Sequence, residues 1–254
     1  DYLDFSDKYG VDLKRVTTDW EEKGVVSTDN KYLRDINKSK MQDLELQDFY
    51  NAANLDYAWE ELLWAYRSFE DYKQTNNKFD FTDMLTQFTQ FGHTPPLDVV
   101  IVDEAQDLTK LQWRMCEKIW ANSKRVYISG DDDQAIFRWA GADVDSFITL
   151  QGQYLPLTQS YRIPAKVHGL AMGIINKIRN RIDKSWEPRV SQGNLHRHFD
   201  VDSINMSTGD WLILSRTRHM LTDIEESLYR QGLYYENRYK RSSEKELHQA
   251  ATSW

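Results

Sequence analysis

The chain has 254 residues, 40 acidic against 32 basic, and a formal net charge of −8. That length holds one large domain or two ordinary ones. The acidic balance argues against a protein that binds nucleic acid by bulk positive charge, but not against one that grips single strands in a local groove by aromatic stacking. The nine tryptophans supply candidates for such stacking.

Residues 1–90 read as mainly helical. Leu55, Trp59, Leu62, Leu63 and Tyr66 share one helical face, which predicts a packing surface. In the stretch Phe79-Asp80-Phe81-Thr82-Asp83-Met84-Leu85, Asp80 or Thr82 is placed to cap a short helix. Pro95-Pro96 then breaks the chain. The run Val99-Val100-Ile101-Val102 is short and β-branched, as expected of a buried central strand in a parallel sheet. A helix over residues 109–121 leads to a second strand, Arg125-Val126-Tyr127-Ile128-Ser129, and to a polar loop over 130–143. Pro164 favours a helical turn that opens a helix over 165–180. Residues 183–209 are polar and irregular, with a short strand expected around Leu195–Phe199. Asp210–Ser215 has a buried-strand pattern. Met220–Gln231 is an amphipathic helix stopped by Gly232, and Leu233-Tyr234-Tyr235 follows as a strand.

No apolar run approaches the ~20 residues that span a bilayer. The first residues, Asp1-Tyr2-Leu3-Asp4, carry no signal-peptide pattern. The single cysteine, Cys116, allows no intrachain disulfide and reads as a buried thiol, which points to a cytoplasmic setting. No Cys/His cluster suggests zinc.

The apolar run ends abruptly in Asp103-Glu104. Taken alone, the pair reads first as a strand that stops in a charged loop. Two carboxylates at the carboxyl end of a parallel strand also sit where open α/β sheets bind ligands. In phosphate-processing enzymes one such acid holds Mg²⁺ and a neighbour orients or deprotonates the attacking water. Two further blocks follow: Gly130-Asp131-Asp132-Asp133-Gln134-Ala135-Ile136-Phe137-Arg138-Trp139-Ala140-Gly141-Ala142, and Gln159-Ser160-Tyr161-Arg162.

In order and spacing, Asp103-Glu104-Ala105-Gln106-Asp107 and these two blocks resemble the DExxQD, GDxxQxIYxxxGA and QxYR motifs of superfamily 1 DNA helicases of the UvrD/Rep/PcrA type. The resemblance spans roughly residues 40–240. It implies an α/β fold of parallel-sheet P-loop NTPase (RecA-like) motor domains with a helical insertion. Residues 1–78 would be the 1B-like insertion, 79–153 the remainder of the first motor domain, and 154–254 the start of the second. It further implies ATP and Mg²⁺ as cofactors, and single-stranded DNA and single-strand/duplex junctions as partners. The setting would be the cytoplasm of a bacterial or phage-infected cell, with no membrane association.

By the same resemblance, Asp103 would hold Mg²⁺ and Glu104 would activate the hydrolytic water. Gln106 and Asp107 would link that site to the neighbouring loop, although Asp107 also suits a helix cap. Gln134 would contact the γ-phosphate or the water. Tyr161 would stack on adenine and Arg162 would act as an arginine finger. Phe137, Arg138 and Trp139 would meet the DNA strand, the two rings by stacking, although either ring alone also reads as a core residue. Two departures stand out: Ala140 replaces an Arg common after the aromatic, and Phe137 replaces the usual Tyr.

No GxxxxGK[ST] phosphate loop occurs, and the family's later motifs are absent. The expectation is therefore the middle of a helicase cut at both ends, or a variant that lacks its phosphate loop. Two rivals remain at this point. One is a non-catalytic module that binds single-stranded DNA or a partner. The other is a nuclease that uses Asp131, Asp132 and Asp133 with Asp103 and Glu104 as a two-metal site.

Overall fold

The computed structural model describes residues 30–237 and 240–241; the sequence expectations for residues 1–29 and 242–254 lie outside them. The described chain divides into two units. One comprises residues 30–160 and 171–187, the other residues 161–170 and those from 188 onward.

The first unit opens with helices because its polar residues cap them and its apolar residues share faces. Helix α1 (Lys31–Met41) starts at Asn30, whose side chain accepts the Leu33 N–H, and carries Lys38 and Lys40 in its last turn, where the helix dipole favours cations. Helix α2 (Leu46–Ala52) buries Phe49. Helix α3 (Trp59–Thr75) buries Leu62, Ala65, Phe69 and Tyr72 against Leu33, Ile36 and Tyr57. The packing face expected around Leu55–Tyr66 is present in part: Leu62 is fully buried with Trp59 and Tyr66 packed around the cluster, whereas Leu55 joins it from the segment before the helix and Leu63 is only half-buried. Helix α4 (Phe81–Phe91) is capped by Asp80, which accepts the Asp83 N–H while the Asp83 carboxylate accepts the Asp80 N–H.

Strand β1 (Val99–Val102) pairs in parallel with β2 (Arg125–Ile128), with Val99 opposite Arg125 and Val102 opposite Ile128. Helix α5 (Lys110–Trp120) makes the crossover. Its start is set by Thr109 and Gln112, which cap each other's backbone N–H groups, and it buries Leu111, Trp113 and Cys116. The parallel pairing agrees with expectation, but the burial does not. Ile101 is 73% exposed and its register partner Tyr127 is also exposed. Register partners point to the same side of the sheet, so this face is left uncovered among the described residues.

Helix α6 (Val144–Ile148) follows the 130–143 loop. Strand β3 (Gln159–Pro164) leads directly into helix α7 (Ala165–Ile175), shorter than the expected 165–180, and β3 pairs with β4 (Glu187–Arg189).

In the second unit, Ala165 and Lys166 donate N–H groups to the carbonyls of Ser191 and Gln192. Helix α8 (Thr222–Arg230) is preceded by a 3₁₀ turn, Arg218–Leu221. Asp202 receives hydrogen bonds from Ser227 and Arg230 of α8. The expected stop at Gly232 holds, with φ +68°.

Three strand expectations fail in this unit. Residues 195–199 and 210–215 form no strand, and Phe199, Leu212 and Leu214 are largely exposed. The expected strand at Leu233–Tyr235 appears instead as β5 (Glu236–Asn237), antiparallel to β6 (Lys240–Arg241). An apolar run becomes a strand only where another strand satisfies its backbone, and no described neighbour pairs with residues 195–199 or 210–215.

Candidate active site

The carboxyl ends of β1 and β2 lie side by side because the strands are parallel. The ladder continues one step beyond the strands: Ser129 donates its N–H to the Val102 carbonyl at 2.8 Å, and Ala105 donates to the Ser129 carbonyl at 3.0 Å. Asp103 and Glu104 therefore leave the sheet next to Ser129. The Ser129 hydroxyl donates to Asp103 Oδ1 at 2.5 Å, and the Glu104 N–H donates to the same oxygen at 3.0 Å. Both carboxylates are exposed.

Glu104 adopts the left-handed conformation, φ +53° and ψ +40°. A residue with a Cβ pays about 1–2 kcal/mol for this, and such strain gathers at functional sites. The turn swings the chain off the strand and into the short 3₁₀ helix Ala105–Asp107. Gln106 is thereby buried, with its amide between two loops. Its Nε2 donates to Glu104 Oε2 at 2.7 Å, and its Oε1 accepts the Asp131 N–H at 3.0 Å. Gly130 makes this approach possible, since a Cβ there would lie 2.6 Å from Gln106 Oε1 and 2.9 Å from the Phe147 ring. The helix cap in this region is Thr109.

The bonding continues along the loop. The Asp131 side chain accepts the Asp133 N–H at 3.1 Å through Oδ1, and the Gln134 Nε2 at 2.6 Å through Oδ2. Gln134 is exposed. Next comes a 3₁₀ turn, Arg138–Ala140. Trp139 is 55% exposed, whereas Phe137 is half-buried. Arg138 makes a fork of two 2.9 Å bonds to Asp145. That fork holds the Asp145 carboxyl below its ordinary value and raises the guanidinium above its own. Asp103, Glu104, Gln106, Asp131 and Gln134 thus form one bonded series, continuing in sequence into Phe137, Arg138 and Trp139. Tyr161 and Arg162 lie on β3 in the second unit, where Tyr161 is 84% exposed.

Asp132 and Asp133 are differently engaged. Arg181 forks onto Asp133 with two 2.8 Å bonds. Asp132 accepts the Ile182 N–H at 2.7 Å and the Lys184 ammonium. Burial opposes ionisation of Asp133, but Arg181 and Lys184 outweigh it and hold its carboxyl below the usual range. A metal ion would have to displace both cations from these acids. Among the described residues no group of three or more His, Cys, Asp and Glu side chains is arranged to hold a metal ion. The two-metal nuclease reading has no support from this geometry. Motif reading missed Ser129, Arg181 and Lys184; Ser129 alone carries a local signal, as the last residue of an apolar run.

The sequence profile of the UvrD/REP helicase N-terminal domain matches residues 6–155. The chain belongs to the UvrD/REP helicase family. It is 25% identical over 205 residues to the ATP-dependent DNA helicase PcrA of Bacillus subtilis, covering 67% of this chain and 28% of that protein. It is 23% identical over 233 residues to the PcrA of Leuconostoc citreum, covering 79% and 31%. The chain thus spans less than a third of the length of these curated relatives. Among the described residues, no helix is long and apolar enough to cross a membrane.

Proposed function

We propose that the chain is the central part of an ATP-dependent DNA helicase that couples ATP hydrolysis to 3′-to-5′ movement on single-stranded DNA and to duplex unwinding at single-strand/duplex junctions. In this reading 1–78 is a helical insertion, 79–153 completes a first RecA-like motor domain, and 154–254 begins the second. The observation that carries it is the bonded series from Glu104 through Gln106 and Asp131 to Gln134, which runs on into a turn with an exposed Trp139. Residues suited to phosphate chemistry and to base stacking then share one loop.

The donor set suits Mg²⁺. That ion keeps several waters and binds through one or two carboxylates together with substrate phosphates. Among the described residues both hydrogen bonds to the Asp103 carboxylate fall on Oδ1, so Oδ2 is available to a cation or its water. When bound, Mg²⁺ neutralises charge on the phosphate oxygens.

Glu104 accepts the proton of the attacking water, a role that suits a carboxylate at neutral pH. The Gln106 amide fixes Glu104 through Oε2 and leaves Oε1 for the water. Gln134, oriented by Asp131, senses the γ-phosphate or the water. Arg162 stabilises charge in the transition state, and Tyr161 stacks on adenine. Phe137 and Trp139 stack on bases, with Arg138 beside them. Closure and reopening around ATP and ADP select between two arrangements of these groups.

The test is Glu104→Gln in the protein that carries this chain. ATP turnover is expected to vanish while ATP binding remains. Near-normal turnover in the variant would overturn the assignment. An unaltered protein that binds single-stranded DNA but never turns over ATP would establish the binding-module reading instead.

A further inference from the structure

Residues 180–184, about fifty positions downstream of the Gly-Asp-Asp-Asp-Gln loop, grip it at two places within the first unit. At one, Arg181 and Lys184 meet the three consecutive acids. Arg181 makes its 2.8 Å fork to Asp133. Lys184 lies 3.0 Å from Asp133, 3.2 Å from Asp131, and within hydrogen-bond reach of Asp132. The side chains of Asp132 and Asp133 are only 2% exposed. At the other, Asn180 donates to Asp145 at 2.5 Å, and Asp145 is the acid that Arg138 forks onto.

We propose that Asn180, Arg181 and Lys184 form a positioning clamp for this loop. The clamp sets the orientation of Gln134 on one side and of the Arg138–Trp139 turn on the other. The path is short. Lys184 neutralises Asp131, Asp131 holds the Gln134 amide at 2.6 Å, and the Asp131 N–H is held by Gln106, which also holds Glu104.

Two physical points support a positioning role. Three adjacent carboxylates repel one another, so an uncompensated loop of this sequence would spread apart; two cations placed among them favour one compact arrangement. Arg181 also supplies a planar two-point fork, which fixes direction as well as distance, as a lysine cannot. The bonds of the clamp run to Asp131, Asp132, Asp133 and Asp145, which makes it a positioning group. The clamp acts through Asp131 and Asp145. The inference rests on the reading of Gln134 as the group that senses the γ-phosphate.

The test compares unaltered protein with Lys184→Met and Arg181→Lys by two readouts. The first is amide hydrogen exchange, which needs no activity. Both variants are expected to speed exchange at residues 131–139 by about tenfold while leaving α3 unchanged, as for the opening of one local segment. The second is DNA-stimulated ATP turnover. Here kcat is expected to fall about tenfold with KM for ATP unchanged, the pattern of a lost interaction at the reacting end and not in nucleotide binding.

Unchanged exchange at 131–139 in either variant overturns the clamp, as does faster exchange with unaltered kcat. If the unaltered protein shows no ATP turnover, the helicase reading fails, and exchange alone decides whether the clamp orders the loop. Lys184→Met leaves buried acids short of a partner and risks misfolding. Arg181→Lys keeps a cation beside Asp133 and then carries both measurements.

Discussion

The helical part of the first unit and the loops at the ends of β1 and β2 are held by different forces. Between α1 and α3, Leu33, Ile36, Leu62, Ala65, Phe69 and Tyr72 are buried together, and burial of apolar surface dominates. Even the charges there are enclosed: Lys73 is buried, and it and Lys40 both pair with Glu70, Asp80 and Asp83. At the strand ends the reverse holds. Asp103, Glu104, Gln134 and Trp139 are exposed, and their placement depends on single hydrogen bonds, one left-handed residue and a set of ion pairs. The difference teaches that stability and chemistry can be altered separately here. A packing change should lower the unfolding free energy, whereas a loop change should alter turnover or DNA binding and leave the core intact.

The largest break of that contrast is expected at Phe69→Ala. The ring is almost fully enclosed in the α1–α3 cluster, and such truncations cost about 3–5 kcal/mol. Urea unfolding of the chain should record that loss. A change below about 1 kcal/mol would mean that the cluster collapses around the gap.

Acid should come next, through Asp80. Burial raises its carboxyl, but Lys40 and Lys73 more than offset this and bring it down to about 2. The folded value lies below the ordinary ~3.9 of an aspartate, so the stabilising effect is complete above about pH 4. It is lost as pH falls from there through 2, by about 2 kcal/mol in all. Unfolding measured from pH 5 to pH 2 should lose this slope in Asp80→Asn. An identical slope in the variant would place the acid sensitivity elsewhere.

Local signals account for what was legible from the sequence. Asp80 announces a helix start with its partner three residues on, the β-branched run before Asp103 announces a strand, and Gly232 announces a helix stop. These depend on neighbours within one turn of chain. The stretch Trp211–Leu214 shows the limit: it is apolar enough for a strand, but composition does not reveal whether another strand lies alongside. The exposed faces of Ile101 and Tyr127 make the same point about burial. At the site, the motif residues could be named individually, because their spacing is characteristic. The Arg181–Asp133 fork joins residues 48 apart, and an ion pair at that distance leaves no pattern in one sequence.

On the loop side, Trp139→Ala is expected to weaken single-strand binding by about 1–3 kcal/mol, the usual worth of a stacked base. Because the ring is more than half exposed, unfolding free energy should move by less than about 0.5 kcal/mol, as for ordinary surface substitutions. Fluorescence anisotropy with an oligothymidylate checks the first number and urea unfolding the second. Unchanged affinity with reduced stability would transfer Trp139 to the packing side of the comparison.

The smallest expected stability effect is at the residue with the largest expected chemical one. Glu104 holds a left-handed backbone that glycine adopts without the Cβ clash. Glu104→Gly releases about 1–2 kcal/mol of strain. Against this stand the extra freedom of glycine in the unfolded chain, about 0.5–1 kcal/mol, and the lost bond from Gln106, about 0.5–1.5 kcal/mol. These terms nearly cancel, so the unfolding midpoint should hardly move while ATP turnover falls to background. At an ordinary helical position the same exchange would cost stability. A clear loss of stability at Glu104 would show that its carboxylate, and not only its backbone, supports the fold, and the separation between the two regions would then fail at the residue where it matters most.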